Sequence, residues 1–310
     1  MIYKSFVSQR CFGVELEASK NLEQIAIKDI VAGGTSRGVS TTHWQASKNN
    51  RNWHVKMDGS CGDGPDEEYG WEIASYKAHG IDDLLSIANV AQRLKNAGLR
   101  VNKQCGLHVH VEVNDFCAHR MGYLLARWLA VEPWLFNAVP IRRSKSVYCN
   151  ALRNVRPVAD RKWTAWELWE HFKPEYKVYG SQDYRRVSLN LCNFYMEKDK
   201  VNKKRCTVEL RLPEGTLRGV NVKNWTRFFV HLVETSAQDC TIFPVVANTL
   251  DEFFDACGIG HDGEFSFLSP GLRETKIWLL RRLKKYQFNR DSQAIEEYLH
   301  RMTWPEKLGR

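Results

Sequence analysis

No apolar run in the sequence is long enough to cross a bilayer. The longest, "YLLARWLAVEPWLFNAV", is broken by Arg127, Glu132 and Pro133. The opening "MIYKSFVSQR" lacks the hydrophobic segment of a secretory leader, so a soluble cytoplasmic protein without a membrane partner is expected. There is no CxxC pair either. The nine cysteines are odd in number and scattered, which argues against a zinc ribbon or disulfide framework and for reduced thiols buried as small hydrophobes. Their spacing selects no nucleophile. Internal repeats, low-complexity blocks and helix-turn-helix, RRM or zinc-finger patterns are also missing.

What is there is the composition of a folded protein: 310 residues, 43% hydrophobic and 12% aromatic, enough for a sizeable core in one large domain or two closely packed ones. The formal net charge of +9 suits an anionic partner such as a nucleotide, an acidic substrate or a nucleic acid.

Strand-like segments alternate with helical ones. A short helix is expected near Leu22 to Ile30, followed by "VAGGTSRGVSTTHWQASKNNRNW", whose Gly, Ser, Thr and Asn content reads as a long loop, in its functional version a lid over a site. "WHVKMDGSCGDGPDEEYGWEIAS" reads as strand, acidic turn and strand. Leu84, Ile87, Ala88, Ala91 and Leu94 recur at helical spacing, with Gly98 placed to end that helix. The strand "CGLHVHVEV" follows, and Asn114 or Asp115 is expected to cap a longer helix through Trp128. From Pro140 to Arg186 the chain is strongly basic and holds one clear helix, "TAWELWEHF". Two strands in "RRVSLNLCNFYMEKDKVNKKRCTVELRLPEG" read as an antiparallel hairpin with a charged turn, and the remainder, ending in "DSQAIEEYLH", is helical. The fold class is α+β.

A period of two divides every strand in the same way. Phe12, Val14 and Leu16 share one face, and Glu15 and Glu17 the other; Leu107, Val109 and Val111 oppose His108, His110 and Glu112. Leu210 and Leu212 oppose Glu209 and Arg211, while Leu189 and Leu191 oppose Ser188 and Asn190. Glu72, and Asp58 after Lys56, extend the polar set. An antiparallel sheet covered by helices on one side leaves the other free, here lined with carboxylates and imidazoles. Each strand alone fits an ordinary solvated face. Together, Glu15, Glu17, Glu72 and Glu209 with His108 and His110 form an acidic cluster in a basic protein, and such a cluster needs cations to stay ionised. Carboxylate-rich ligation favours Mg²⁺ or Mn²⁺, with phosphate oxygens completing the shell. Arg211 suits a phosphate group.

"FGVELE", "GWEIAS", "CGLHVHVEV" and "TVELRLPEGTL", in this order, resemble the motif set of the amidoligase family, relatives of glutamate–cysteine ligase and glutamine synthetase. The resemblance spans Phe12 to about Trp225. It implies a catalytic domain over 1–225 with a helical region, 226–310, packed on it, and a curved antiparallel sheet with helices on its convex face, forming a funnel for ATP and Mg²⁺ (or Mn²⁺). It further implies that Glu15, His108 and Glu209 hold a metal by the nucleotide phosphates. Glu17 and Glu72 would hold a second near the substrate carboxylate, acting with Arg211 in catalysis. His110 would face the phosphates with Asn190 beside it, and Arg211 the transferred γ-phosphoryl group. The implied activity is an ATP-dependent ligation of a small-molecule or peptide carboxylate to an amine donor through an acyl phosphate. Pro213 departs from the family pattern, and Asp58, Asp63, Glu67 and Glu68 read as a solvated turn.

Arg142, Arg143, Arg153 and Arg156 are candidates for an acidic co-substrate, or else form a solvated basic face with Trp163, Trp166 and Trp169 as core packing. Basic and aromatic residues interleaved from Arg142 to Arg186 also suit a nucleic acid or a nucleic acid-linked substrate. Two further readings stay open: a zinc hydrolase using His108 and His110, and a non-catalytic nucleic acid-binding protein.

Overall fold

A computed structural model describes residues 10–41, 51–62, 69–159, 161–173, 185–194, 206–260, 270–286, 295–297 and 299. Its first strand, β1 (Phe12–Ala18), follows the alternation read from the sequence: Phe12, Val14 and Leu16 are buried and Glu15 is partly open. Helix α1 (Gln24–Ala32) and the short β2 (Val39–Ser40) precede β3 (Trp53–Asp58) and β4 (Gly70–Ala74). Next come α2 (Gly80–Asn96), β5 (Leu107–Glu112) and α3 (Ala118–Phe136).

The basic segment holds two single-turn helices, α4 (Ile141–Ser144) and α5 (Leu152–Val155), before α6 (Ala165–Phe172), which opens on a reciprocal capping box between Thr164 and Glu167. Strands β6 (Leu189–Asn190) and β7 (Thr207–Leu210) close the sheet. Helices α7 (Gly219–Gln238), α8 (Leu250–Ala256) and α9 (Pro270–Tyr286) follow.

The seven strands form one sheet in the order β2-β3-β4-β1-β5-β7-β6. All neighbouring pairs are antiparallel except β2 with β3. The strand bearing the paired glutamates therefore lies mid-sheet, between β4 and β5. Apolar side chains of β1, β5 and β7 share a single core with Leu84 and Ile87 of α2, Leu124 and Trp128 of α3, and Val222 and Phe229 of α7. Burial of that face against helices is what holds the layers together. It also leaves the carboxylate face uncovered by them.

Gly98, at φ 91°, ends α2 as expected, its N–H donating to Lys95 O in a left-handed turn that favours glycine. The expected cap of α3 is different. Cys117 is its N-cap, without a side-chain bond, and Asp115 instead pairs with Arg10 and Arg120. The division expected at 225 runs through α7, and α9 is tied back across it: Arg282 donates to both Glu214 oxygens at 2.6 and 2.8 Å and to Ala138 O at 2.7 Å.

Among the described residues no helix is long and apolar enough to cross a membrane. Much of the expected lid (42–50), Asp63, Glu67 and Glu68, the turn of the expected hairpin (195–205) and most of the last expected helix lie outside the described residues.

Candidate active site

Register converts separate strand faces into rows of side chains. Glu17 stands opposite Glu72, and Glu72 opposite Lys56 on the next strand. Glu15 stands opposite His108. His110 is opposite Glu209, and Glu209 opposite Asn190. These rows line an open cavity of about 570 Å³, together with Gly13, His54, Asp58, Tyr76, Lys77, Arg185 and Arg211.

Two groups of donor atoms converge in it. Ligand atoms of Glu15, His110 and Glu209 lie within 4.8 Å of one another, as do those of Glu17, Asp58 and Cys61. His108 sits between them. Its Nδ1 is 3.3 Å from Glu15 and 3.6 Å from Glu209, while its Nε2 is 3.6 Å from Glu17. Glu209 is the most firmly held carboxylate, accepting from Arg211 Nη1 at 2.5 Å and from Asn190 Nδ2 at 2.7 Å. Glu17 accepts from the Gly106 N–H at 2.5 Å. Glu72 joins neither group: its Oε1 is paired with Lys56 Nζ at 2.9 Å.

The charges follow from these contacts. Burial alone raises a carboxyl's pKa, but His110 and His108 outweigh it at Glu15 and hold that group well below the usual carboxylate range. At Glu209 burial is likewise outweighed, by Arg211 and the two imidazoles. Burial disfavours a charged His110, yet Glu15 and Glu209 together push it up to about 9, so it is a cation at neutral pH. Glu72 goes the other way: burial and the Glu15 charge push it up to about 8, with Lys56 offsetting only part. The neighbouring Cys105, burial and the Glu17 and Asp58 carboxylates hold the Cys61 thiol far above its usual range. It is a thiol, not a thiolate.

Of the residues expected on this face, all but Ser188 reach it. Both imidazoles lie beside Glu15 and Glu209: His110 shares a group of donor atoms within 4.8 Å with them, and His108 Nδ1 is 3.3 and 3.6 Å from the two. Asn190, implied beside the nucleotide, orients Glu209 and accepts from the Cys192 N–H at 2.9 Å. Asp58 is no solvated turn. It accepts from the Ser60 N–H and hydroxyl at 2.8 Å each and faces Glu17. Ser188 leaves the face altogether, because its hydroxyl donates to the buried Glu132 and accepts from Trp128 in α3.

Of the four arginines considered for an acidic substrate, Arg153 is engaged by Glu132 and Arg156 by the His171 carbonyl. Arg143 is buried and donates to the carbonyls of Leu212 and Arg211 at 3.2 and 2.6 Å. Its approach needs a residue without a Cβ, since one added at Gly106 would lie 2.8 Å from both Arg143 Nη2 and His108 Nε2. Trp169 packs in the core as expected, whereas Trp166 is exposed. Lys56 and Cys61 are site residues that strand alternation and cysteine spacing did not single out. For Lys56 the signal was available, since period two puts it on the face of Asp58.

The donor set fits a hard divalent ion. Carboxylate oxygens dominate, and imidazole joins them, with His110 Nε2 3.2 Å from Glu15 Oε1. Residues 8–233 match the profile of a family described as "Putative amidoligase enzyme". No curated protein matches the sequence. A solved structure described as a novel glutamine synthase homolog aligns at TM-score 0.41 and 13% identity, over 94% of this chain and 71% of that one.

Proposed function

The chain belongs to the amidoligase family, and from that premise we propose that it is an ATP-dependent ligase joining a carboxylate to an amine through an acyl phosphate. The observation carrying this reading is the convergence of Glu15, His110 and Glu209 beside Arg211 on the cavity floor. A carboxylate is a poor electrophile: its charge repels nucleophiles and its leaving group would be oxide. Attack of a carboxylate oxygen on the γ-phosphorus of ATP expels ADP and gives an acyl phosphate. An amine then attacks the carbonyl carbon, inorganic phosphate leaves, and the nitrogen gives up a proton.

This chemistry asks for positioning and charge neutralisation, not for a nucleophilic side chain. Mg²⁺ or Mn²⁺ held by Glu15, Glu209 and the imidazoles, with a second ion at the Glu17 end, would neutralise phosphate oxygens. Arg211 presents a planar guanidinium to the moving phosphoryl group, held in place by Glu209. Without a metal His110 carries a proton, which a metal bound by its imidazole would displace. Asn190 fixes the Glu209 carboxylate, and the Gly106 N–H fixes that of Glu17. Arg185 on the cavity wall is placed to meet an acidic substrate.

The test is phosphate release from ATP and Mg²⁺ in the presence of a panel of carboxylates paired with amino acids and polyamines, with nucleic acid-linked acceptors as a separate arm. Acceptor-dependent release is expected. Tightly retained zinc with no nucleotide binding would favour a hydrolase built on His108 and His110 instead.

A further inference from the structure

Glu72 occupies an anomalous position on the acidic face. Family resemblance pairs it with Glu17 as ligands of one metal, and the register does place the two directly opposite each other on β1 and β4. Yet the donor atoms grouped with Glu17 are those of Asp58 and Cys61, and Glu72 contributes to neither of the convergent groups among the described residues. Its other cross-strand neighbour explains why. Lys56 stands directly opposite Glu72 on β3, and its ammonium lies 2.9 Å from Glu72 Oε1, with both side chains mostly shielded from solvent. A divalent ion on that carboxylate would bind its oxygen at roughly 2.0–2.1 Å. The ammonium would then be a close like charge in a poorly solvated place, an unfavourable arrangement.

We propose that Lys56 is the built-in cation of the Glu17–Glu72 row, so that the Glu72 carboxyl group is bound to lysine and is not a metal ligand while Lys56 is present. The inference rests on the metal-dependent ligase reading and narrows it: the protein carries one fewer divalent ion than a site using Glu72 as ligand. Lys56 supplies a fixed positive charge without exchange.

The experiment counts bound Mn²⁺ per chain from the loss of the free-ion EPR signal, with and without a non-hydrolysable ATP analogue, for the full chain and four variants. Glu72→Gln alone should bind as many ions as the unsubstituted protein. Lys56→Met should bind one more, and Lys56→Met combined with Glu72→Gln should return to the original count. Lys56→Arg, which keeps the charge, should leave the count unchanged. Loss of an ion in Glu72→Gln overturns the proposal even if the Lys56 variants fold poorly, and so does a folded Lys56→Met that gains none. Failure of the ligase reading looks different: the unsubstituted protein would then take up no Mn²⁺ with the nucleotide analogue.

Discussion

Arg211 donates through Nη1 to Glu209 and lines the cavity, while its buried Nε has no hydrogen-bond partner among the described residues. If it stabilises the γ-phosphoryl group in flight, Arg211→Lys keeps the charge and loses the planar fork. Acceptor-dependent phosphate release should fall by roughly two orders of magnitude, with nucleotide affinity by calorimetry changed only modestly. Lost affinity with an unchanged rate at saturation would make Arg211 a ground-state binding residue. The carboxylates divide by sign. Glu15 is held ionised by two imidazoles, so Glu15→Gln should lower the melting temperature of the metal-free protein as well as abolish turnover. Glu72 is strained when ionised, so Glu72→Gln should raise that temperature by a few degrees near pH 9. Thermal melts in chelator, at pH 7 for Glu15→Gln and at pH 9 for Glu72→Gln, test the two; shifts of the same sign would contradict the assignment of opposite pKa displacements.

On the scale of strands, the sheet face titrates as a unit whose pH dependence follows from two raised pKa values. His110 is raised from its ordinary value to about 9, so its stabilising contribution is complete below about pH 6.5 and is lost as pH rises through 9. Glu72, raised to about 8, binds a proton in the folded state that the unfolded state releases, so stability again falls between the ordinary carboxylate value and 8. Glu15 and Glu209 are displaced downward and act only in the acid range, where their contribution is lost as pH falls. The metal-free protein should therefore become less stable from about pH 6.5 to 9, and saturating Mg²⁺ should flatten that slope. A melting temperature that is constant or rises across this window would refute the arrangement. Alternation within each strand was legible because side-chain direction is local: Leu107, Val109 and Val111 are buried as the pattern required, with His110 opposite them in the cavity. Strand order and register were not, because they are set by long-range pairing. That is why the pairing of Lys56 with Glu72 and the departure of Ser188 into the helical layer came only from the structure. Asp58 belongs by alternation to the polar set, and its bonds to Ser60 hold it there although its acidic turn resembles a solvated one.

Taken whole, the molecule ties its helix α9 to the end of the β7 segment. Arg282 of α9 holds Glu214, three residues beyond Arg211, through both carboxylate oxygens. Arg282→Met should thus lower both stability and turnover, while Arg281→Met, next to it on the exposed side of α9, should leave both nearly unchanged. Equal effects of the two would show that the tie to Glu214 does not matter. Ligand binding provides the broadest test. An ATP analogue alone brings several negative charges to a face already rich in carboxylates, so it should stabilise the protein little. Mg²⁺ alone relieves repulsion among Glu15, Glu17 and Glu209 but completes its coordination with water. Together each supplies what the other lacks, metal oxygens to the phosphates and phosphate oxygens to the metal, and stabilisation by a ligand at about 100 times its dissociation constant reaches about 2.7 kcal/mol. Melting temperatures should accordingly rise more with both ligands than the sum of the separate shifts. If the nucleotide analogue in chelator stabilises the protein as much as the pair does, the nucleotide does not sit on the acidic face, and the roles given to Glu15, Glu209 and Arg211 fall with it.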